Sequence, residues 1–224
     1  MGTKTLKILR LFIPGLMILF VFLALKESDL SSFANTLAGI SFSKESLQFY
    51  VVPIVLGVVY YVIDLRKVFF RKPIQQVVNN IYTRLLAPFR DHSKLKCHID
   101  HLRSDPKLKQ VFYKFVDSEP DLKSKSDIVR VNGLVLSSLA DTAIISLLAF
   151  PIYVAFYIWK STSYYLILAG CSLVAFLVIR LILLPLTLKK HIEYSDEQID
   201  SILANNYSNL ENALLGLASQ NDGE

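Results

Sequence analysis

Four long apolar runs constrain the structure of this 224-residue chain more than any other feature of its sequence. Their uncharged cores are residues 11–25, 49–63, 142–159 and 161–179, and the last run resumes beyond Arg180. A helix that crosses about 30 Å of hydrocarbon needs roughly 20 mostly apolar residues. Together with their flanks, the runs therefore predict four membrane-spanning helices. The predicted spans cover approximately residues 8–25, 47–63, 140–159 and 163–188.

The composition favours a membrane protein over a soluble globular one. Hydrophobic residues make up 53% of the chain and charged residues only 19%, whereas soluble domains contain about 25% charged residues. One apolar run alone is also compatible with a buried core helix. The chain has too few polar residues, however, to shield four such helices from water. The first run follows Lys4, Lys7 and Arg10 like a signal peptide, yet a small-residue cleavage motif is not close behind it. We therefore expect a retained first span.

The distribution of basic residues predicts which segments face the cytoplasm, because Lys and Arg are retained on that side of the membrane. Residues 64–133, between the second and third runs, contain 15 Lys and Arg against 8 Asp and Glu. Basic residues also precede the first run, and Lys189 and Lys190 follow the last one. The sequence therefore predicts a multi-pass inner-membrane protein with both termini and the middle segment in the cytoplasm.

Helical periodicity outside the apolar runs, with no strand alternation, predicts an all-α fold. Ser104-Asp105-Pro106 is a typical helix start, with a capping side chain and a proline at the first turn. We expect four segments in chain order. They are an N-terminal transmembrane hairpin (1–63), a basic helical cytoplasmic segment (64–133), a C-terminal transmembrane hairpin (134–190) and an acidic amphipathic C-terminal helix (191–224).

The C-terminal segment has the opposite charge to the middle segment, with seven acidic residues and no Lys or Arg from His191 onward. Its apolar residues recur three or four positions apart, which predicts one amphipathic helix of about 20 residues. The apolar stripe consists of Ile199, Leu203, Tyr207, Leu210, Leu214 and Leu217. A helix of this length is marginal in water by itself. The stripe is therefore expected to pack on the basic middle segment, on a second copy of the chain, or on a partner protein.

A basic cluster follows the second predicted span directly and consists of Arg66, Lys67, Arg71 and Lys72. Anionic lipid of the inner leaflet attracts each such charge by about 1 kcal/mol, so we expect these residues to contact lipid headgroups. Direct nucleic-acid binding is not expected, because the basic residues are not interleaved with aromatic ones in any known module.

Asp141 and Arg180 are charged residues that flank the last two apolar runs on the side away from the turn at Ser161. Asp141 lies 20 residues before Ser161 and Arg180 lies 19 after it, which places both at one depth on adjacent antiparallel helices. An unpaired charge is costly in the membrane, and we therefore predict a structural Asp141–Arg180 ion pair. Snorkelling of both side chains to the interface, and an ion or proton pathway, are the alternatives.

Chemistry beyond this pair has little support in the sequence. His92, Cys97, His98 and His101 are metal-ligand types, but their spacing matches no established zinc pattern, so no metal site is predicted. The glycines are scattered and form no phosphate-binding loop, and the common catalytic motifs are absent. The sequence therefore predicts a protein that is not an enzyme and needs no cofactor.

The arrangement of spans at residues 8–25, 47–63, 142–159 and 163–188, with both termini inside, resembles the small four-span membrane subunits of bacterial anti-phage systems, such as the Kiwa membrane component. The likeness is one of architecture and extends over the whole chain. It implies an inner-membrane oligomer that detects phage-induced membrane disturbance and works with a cytoplasmic DNA-binding effector. It assigns no functional residues.

These observations predict an inner-membrane sensor or scaffold subunit that forms a homo-oligomer, contacts membrane lipids and binds a cytoplasmic partner protein. The alternative is a pore or ion channel gated from the cytoplasmic side. A pore needs a polar stripe along one span. A partial stripe of that kind is formed by Ser137, Ser138, Asp141, Thr142 and Ser146.

Overall fold

The computed structural model of the chain describes residues 3–39, 48–118 and 120–221. These residues form α-helices with short 3-10 and π-helical turns, and no strand occurs among them, which confirms the all-α prediction. The helices of the first half are α1 (Thr3–Lys26), α2 (Leu30–Ala38), α3 (Gln48–Ile63), α4 (Leu65–Leu86), α5 (Ile99–Ser104) and α6 (Lys107–Ser118). Those of the second half are α7 (Pro120–Lys160), α8 (Ser163–Val178), α9 (Leu184–Asn205) and α10 (Tyr207–Asn221), with a π-helical segment (Ile179–Leu183) between α8 and α9.

Three of the described helical stretches are long and apolar enough to cross a membrane. They are Thr5–Lys26, Ser126–Lys160 and the stretch Ser163–Asn205, which includes the π-helical segment. The second predicted span corresponds to a shorter apolar helix, Val51–Ile63. The predicted start of this span, Leu47, lies outside the described residues.

The chain divides into two compact units. Unit 1 consists of Met1–Arg71 and Leu134–Thr187, and unit 2 consists of Lys72–Gly133 and Leu188–Glu224. The chain passes between the units three times, each time within a helix: in α4, in α7 and in α9.

Unit 1 has a small interior and a largely apolar exterior. Most of its buried apolar side chains form two clusters, one around Ala143 and Ile144 and the other around Tyr164 and Tyr165. Large apolar side chains cover the outside, and Val62, Ile158 and Trp159 have exposed fractions of 76%, 72% and 75%. Water-soluble domains do not expose apolar surface on this scale.

Unit 2 has an ordinary closed core, which brings the middle and C-terminal segments together. Its completely buried side chains come from both segments and include Leu85, Phe89, Leu102, Leu108, Ile199, Ile202, Leu210 and Leu214. The helix start predicted at Ser104-Asp105-Pro106 is confirmed, because the Asp105 carboxylate accepts a hydrogen bond from the Lys107 backbone N–H at 2.7 Å.

The C-terminal segment differs from the prediction of one helix with a stripe for a partner. The segment forms two helices, since α9 ends at Asn205 and α10 begins at Tyr207. Ile199, Leu210, Leu214 and Leu217 are buried in the core of unit 2, and Leu203 packs against that core. Tyr207 stacks on Phe89 with 4.9 Å between ring centroids. The stripe therefore stabilises its own chain, which was the first of the three alternatives.

The opposite charges of the two segments meet in unit 2. Arg84 on α4 contacts Asp196 and Asp200 on α9, each at 2.8 Å. The Asn80 amide also donates to Asp196 at 2.7 Å, and His92 Nε2 lies 3.1 Å from a carboxylate oxygen of Glu211 on α10. Because these contacts lie at the surface, each adds at most about 1 kcal/mol. Apolar burial supplies most of the stability of unit 2.

Candidate functional site

The site begins at the junction of α3 and α4, where a single residue breaks the helix. Asp64 has a φ of 51°, a left-handed conformation that Asp tolerates better than most residues. Its side chain pairs with Lys67 at 2.7 Å. This junction changes the direction of the chain between Tyr60, in the last turn of α3, and Arg66, in the first turn of α4.

Tyr60 and Arg66 both reach Asp141 on α7. The Asp141 Oδ1 atom accepts hydrogen bonds from the Tyr60 hydroxyl at 3.1 Å and from Arg66 Nε at 2.9 Å. The second carboxylate oxygen, Oδ2, accepts from Arg66 Nη2 at 2.5 Å. A guanidinium that holds a carboxylate with two parallel bonds fixes both the distance and the orientation of the pair.

The burial of this network makes its pairing important. Asp141 is 1% exposed as a whole residue, and the Arg66 side chain is 22% exposed. A buried carboxylate without a partner is strongly destabilising. The Tyr60–Arg66–Asp141 network therefore satisfies the charge of Asp141 and attaches the α3–α4 junction to α7.

The predicted Asp141–Arg180 pair is wrong. The carboxylate of Asp141 is occupied by Arg66 and Tyr60. Arg180 is an exposed residue at the start of the π-helical segment, and its guanidinium carbon lies 5.7 Å from the ring centroid of Phe70. Equal depth on adjacent helices was not sufficient to predict the partner of Asp141, because a third element, the α3–α4 junction, brings a nearer cation to its carboxylate.

The basic cluster predicted to contact lipid has members with different environments. Arg66 points into unit 1 and is not available to a headgroup in the way expected. Lys67, Arg71 and Lys72 are exposed. Lipid contact by these three residues stays a prediction.

The weak metal candidates do not form a site. Within the described residues, no group of three or more His, Cys, Asp or Glu side chains is arranged to hold a metal ion. His92 instead faces Glu211, and Cys97 is an exposed free cysteine.

Two hydroxyl groups of the partial polar stripe on α7 bond to their own helix. Ser137 donates to the Leu134 carbonyl at 2.9 Å, and Thr142 donates to the Ser138 carbonyl at 2.8 Å. Hydroxyl groups that bond to their own helix in this way do not need a water-filled channel for satisfaction.

Two glycines that the sequence analysis did not single out bring α1 and α3 into close contact. A Cβ atom at Gly15 would lie 1.7 Å from the Pro53 carbonyl oxygen, and one at Gly57 would lie 1.8 Å from the Leu11 carbonyl oxygen. Neither distance is compatible with a side chain, so the two backbones touch at both glycines. Small residues of this kind are typical of helix contacts in membranes. The sequence signal for this contact was a single glycine in each of the first two apolar runs.

The C-terminal end of α1 is held by tyrosines from the start of α8. The Tyr164 hydroxyl donates to the Ala24 carbonyl at 3.1 Å, and the Tyr165 hydroxyl donates to the Glu27 carbonyl at 2.9 Å. These bonds satisfy carbonyl groups that the helix end leaves without intrahelical partners. Nearby, the Lys160 ammonium group lies between 5.4 and 5.8 Å from the ring centroids of Phe156, Trp159 and Tyr165.

Comparison of the chain with known protein families, with curated proteins and with solved structures finds no match. The geometry described above is therefore the basis for the function proposed below.

Proposed function

We propose that this chain is a four-span inner-membrane subunit that has no catalytic activity and presents unit 2 to a partner protein in the cytoplasm. In this proposal unit 1 is embedded in lipid. The Tyr60–Arg66–Asp141 network holds the α3–α4 junction on α7, and α4 and α7 both continue into unit 2. The network is the single observation that carries the proposal, because it connects membrane packing to two helices that leave the membrane.

The side-chain pattern of α3 supports a fourth span. Among residues 51–63, whose side chains the structure describes, the buried ones are Pro53, Gly57 and Tyr60, which form one narrow stripe. The large residues outside this stripe are apolar and exposed, for example Val55 and Val62 at 55% and 76%. A helix with this pattern is suited to contact protein on one side and lipid on the others. Its 16 residues correspond to about 24 Å of helix, which approaches the thickness of the hydrocarbon layer.

The proposed orientation of the chain in the membrane rests on the distribution of its basic residues. The excess of Lys and Arg in residues 64–133 favours a cytoplasmic position for unit 2 and for both termini. The aromatic rings around Lys160, at the turn between α7 and α8, fit the interfacial belt on the opposite side of the bilayer.

The partner surface is expected on the outside of unit 2. The C-terminal stripe is used in the core of unit 2, so a partner protein or a second copy of the chain must bind exposed residues. The resemblance to four-span subunits of anti-phage systems supports a sensor of membrane disturbance that assembles as a homo-oligomer and acts through a DNA-binding effector.

Site-specific photo-crosslinking in native membranes tests the proposal. A photoreactive residue at position 110, an exposed position in α6, should give one recurrent cytoplasmic crosslink. The same residue at position 35, in α2, is the matched control and should not give it. Crosslinks from position 110 only to periplasmic proteins would contradict the proposal.

The role of the network is tested in the same preparation. The Asp141→Asn variant should still insert into the membrane and should give less of the crosslink from position 110, because its hold on Arg66 is weakened. Planar-bilayer recordings address the alternative function. Currents that disappear on substitution of Asp141 would favour a pore.

A further inference from the structure

Unit 2 contains a pocket of about 290 Å³ between the C-terminal half of α4 and the segment that ends in α5. Its polar lining comes mainly from three cationic side chains, Arg90, Lys96 and Arg103, and one carboxylate, Asp100. All four residues are exposed at the surface. The pocket lies within one unit and is separate from the Tyr60–Arg66–Asp141 network.

Within the described residues, the cationic side chains of the pocket form no direct ion pair with a carboxylate, including that of Asp100. In the part of the chain that the structure describes, neither Arg90 nor Lys96 takes part in an ion pair, although other basic residues of unit 2, such as Arg84 and Arg130, do. Arg103 donates to the Thr83 hydroxyl at 3.0 Å. This bond orients its guanidinium and leaves other N–H groups for an additional acceptor.

Apart from Thr83, the remaining lining residues belong to the core of unit 2 or pack against it. Tyr82 and Leu86 on α4 are buried, at 8% and 3% exposure, and belong to the core of unit 2. Ile99 also lines the pocket and packs against that core. The cationic groups therefore lie around a concave surface that is continuous with the core of unit 2, unlike lysines spread over a flat helix face.

We propose that this pocket binds a phosphate group carried by a small organic molecule. Two guanidinium groups and one ammonium group match the oxygens of a phosphate, and Leu86 and Ile99 provide contact for the carbon skeleton. The volume suits one phosphate ester of small size. The phosphate belongs either to a soluble ester or to the headgroup of an anionic lipid. The inference does not depend on the partner protein proposed above.

Equilibrium binding to the full chain in phosphatidylcholine nanodiscs tests the proposal, with glycerol 3-phosphate as the probe. Saturable binding is expected, and it should weaken as ionic strength rises. The triple variant Arg90→Gln, Lys96→Gln, Arg103→Gln should bind at least about tenfold more weakly. The matched control is Lys94→Gln, Lys107→Gln, Lys114→Gln, which removes the same charge from exposed positions of unit 2 and should change the affinity by less than about twofold.

The Asp100→Asn variant tests the sign of the charge effect without removing a cationic group. Loss of this carboxylate should strengthen binding of glycerol 3-phosphate about threefold, because a like charge no longer opposes the phosphate. Weaker binding by Asp100→Asn would overturn the proposal. An affinity of the pocket triple variant equal to that of its control would overturn it too, as would the absence of saturable binding.

The source of the phosphate follows from lipid composition. If the natural ligand is a headgroup, nanodiscs that contain phosphatidylglycerol should compete with glycerol 3-phosphate for the pocket. The apparent Kd should then rise more in Asp100→Asn than in the wild type, because that variant also binds the headgroup phosphate more tightly. If the ligand is a soluble ester, the apparent Kd should rise equally in the wild type and in Asp100→Asn through general repulsion alone, and the pocket should remain saturable. Both results retain a phosphate-binding pocket.

Discussion

Asp141 is held by Arg66, which donates to one carboxylate oxygen at 2.9 Å and to the other at 2.5 Å. The two residues are 75 positions apart in the chain. The pair joins α7 to the first turn of α4, immediately after the left-handed residue Asp64.

Removal of the cation should destabilise unit 1 strongly. The Arg66→Ala variant leaves the buried carboxylate of Asp141 without its charged partner and should lower the free energy of unfolding by about 3–5 kcal/mol. The measurement is unfolding by SDS titration in mild-detergent micelles, followed by circular dichroism. The control is Arg180→Ala, which removes an exposed cation near the Phe70 ring and should change the free energy by about 1 kcal/mol or less.

Exchange of charges distinguishes the two possible partners of Asp141. The double variant Arg66→Asp, Asp141→Arg should recover part of the stability lost in either single variant, because the opposite charges remain adjacent. If stability were recovered by the double variant Arg180→Asp, Asp141→Arg and not by the exchange with Arg66, the pairing described for this site would be incorrect.

The contact between α1 and α3 should not tolerate larger residues at its glycines. Gly15→Leu places a side chain where the Pro53 carbonyl oxygen is 1.7 Å from the Cβ position, so α1 and α3 must separate. We expect the free energy of unfolding to fall by about 1–3 kcal/mol, measured by the same SDS titration. Gly170→Leu on α8 is the matched control, since nothing lies within 4 Å of its Cβ position. Equal tolerance of both substitutions would rule out the close contact.

The C-terminal helices should be needed for the folding of unit 2. Leu210→Ala and Leu214→Ala each create a cavity at a completely buried position and should destabilise unit 2 by about 2–5 kcal/mol. Faster amide exchange across residues 77–89, which pack in the same core, is the expected measurement. Ile128→Ala, at a position that is 54% exposed, should leave exchange unchanged. Normal protection of residues 77–89 after deletion of residues 192–224 would show that the stripe serves another purpose.

The short helix α2 should lose stability in acid. The Asp29 side chain caps α2 by accepting from the Ser32 backbone N–H at 2.8 Å. Hydrogen bonds from the Ser31 hydroxyl and from that N–H hold the pKa of Asp29 below its ordinary value of 3.8. A carboxylate with a lowered pKa stabilises the folded form above its ordinary pKa, and this contribution disappears as the pH falls through the lowered value.

Glu27 acts in the same direction, because hydrogen bonds from the Ser32 and Thr36 hydroxyls lower its pKa from 4.5. Amide exchange of residues 30–38 should therefore accelerate relative to that of α8 once the pH falls below about 4. The control is Asp29→Asn, which keeps a capping oxygen but does not titrate, and its exchange should depend less on pH. An identical pH profile for both proteins would exclude the cap as the cause.

Local structure was predictable because it depends on neighbouring residues. The cap at Asp105 lies where Ser104-Asp105-Pro106 predicted it. The break in the C-terminal segment was missed, because the three- and four-residue spacing of the stripe continues unchanged through Asn206. In the structure α9 ends at Asn205 and α10 begins at Tyr207, whose ring stacks on Phe89.

The site itself was only half predictable. Asp141 was identified by its position beside an apolar run, and its burial agrees with that. Its partner was not, because the direction of Arg66 depends on one left-handed residue, Asp64, and on the packing of three helices. The glycine contact of α1 with α3 has the same character, since a lone glycine in a run does not indicate which backbone it will meet.

The topology of the chain is tested most directly by labelling single cysteines with a membrane-impermeant maleimide in intact spheroplasts. The native Cys97 in unit 2 is exposed and serves as the probe, with Cys171→Ser as the background. Asn35→Cys and Ser163→Cys, each introduced after removal of both native cysteines, are the reference positions. We predict that the two reference positions react in intact spheroplasts and that Cys97 reacts only after lysis. Reaction of Cys97 in intact spheroplasts would show that α3 does not cross the bilayer and would contradict the account.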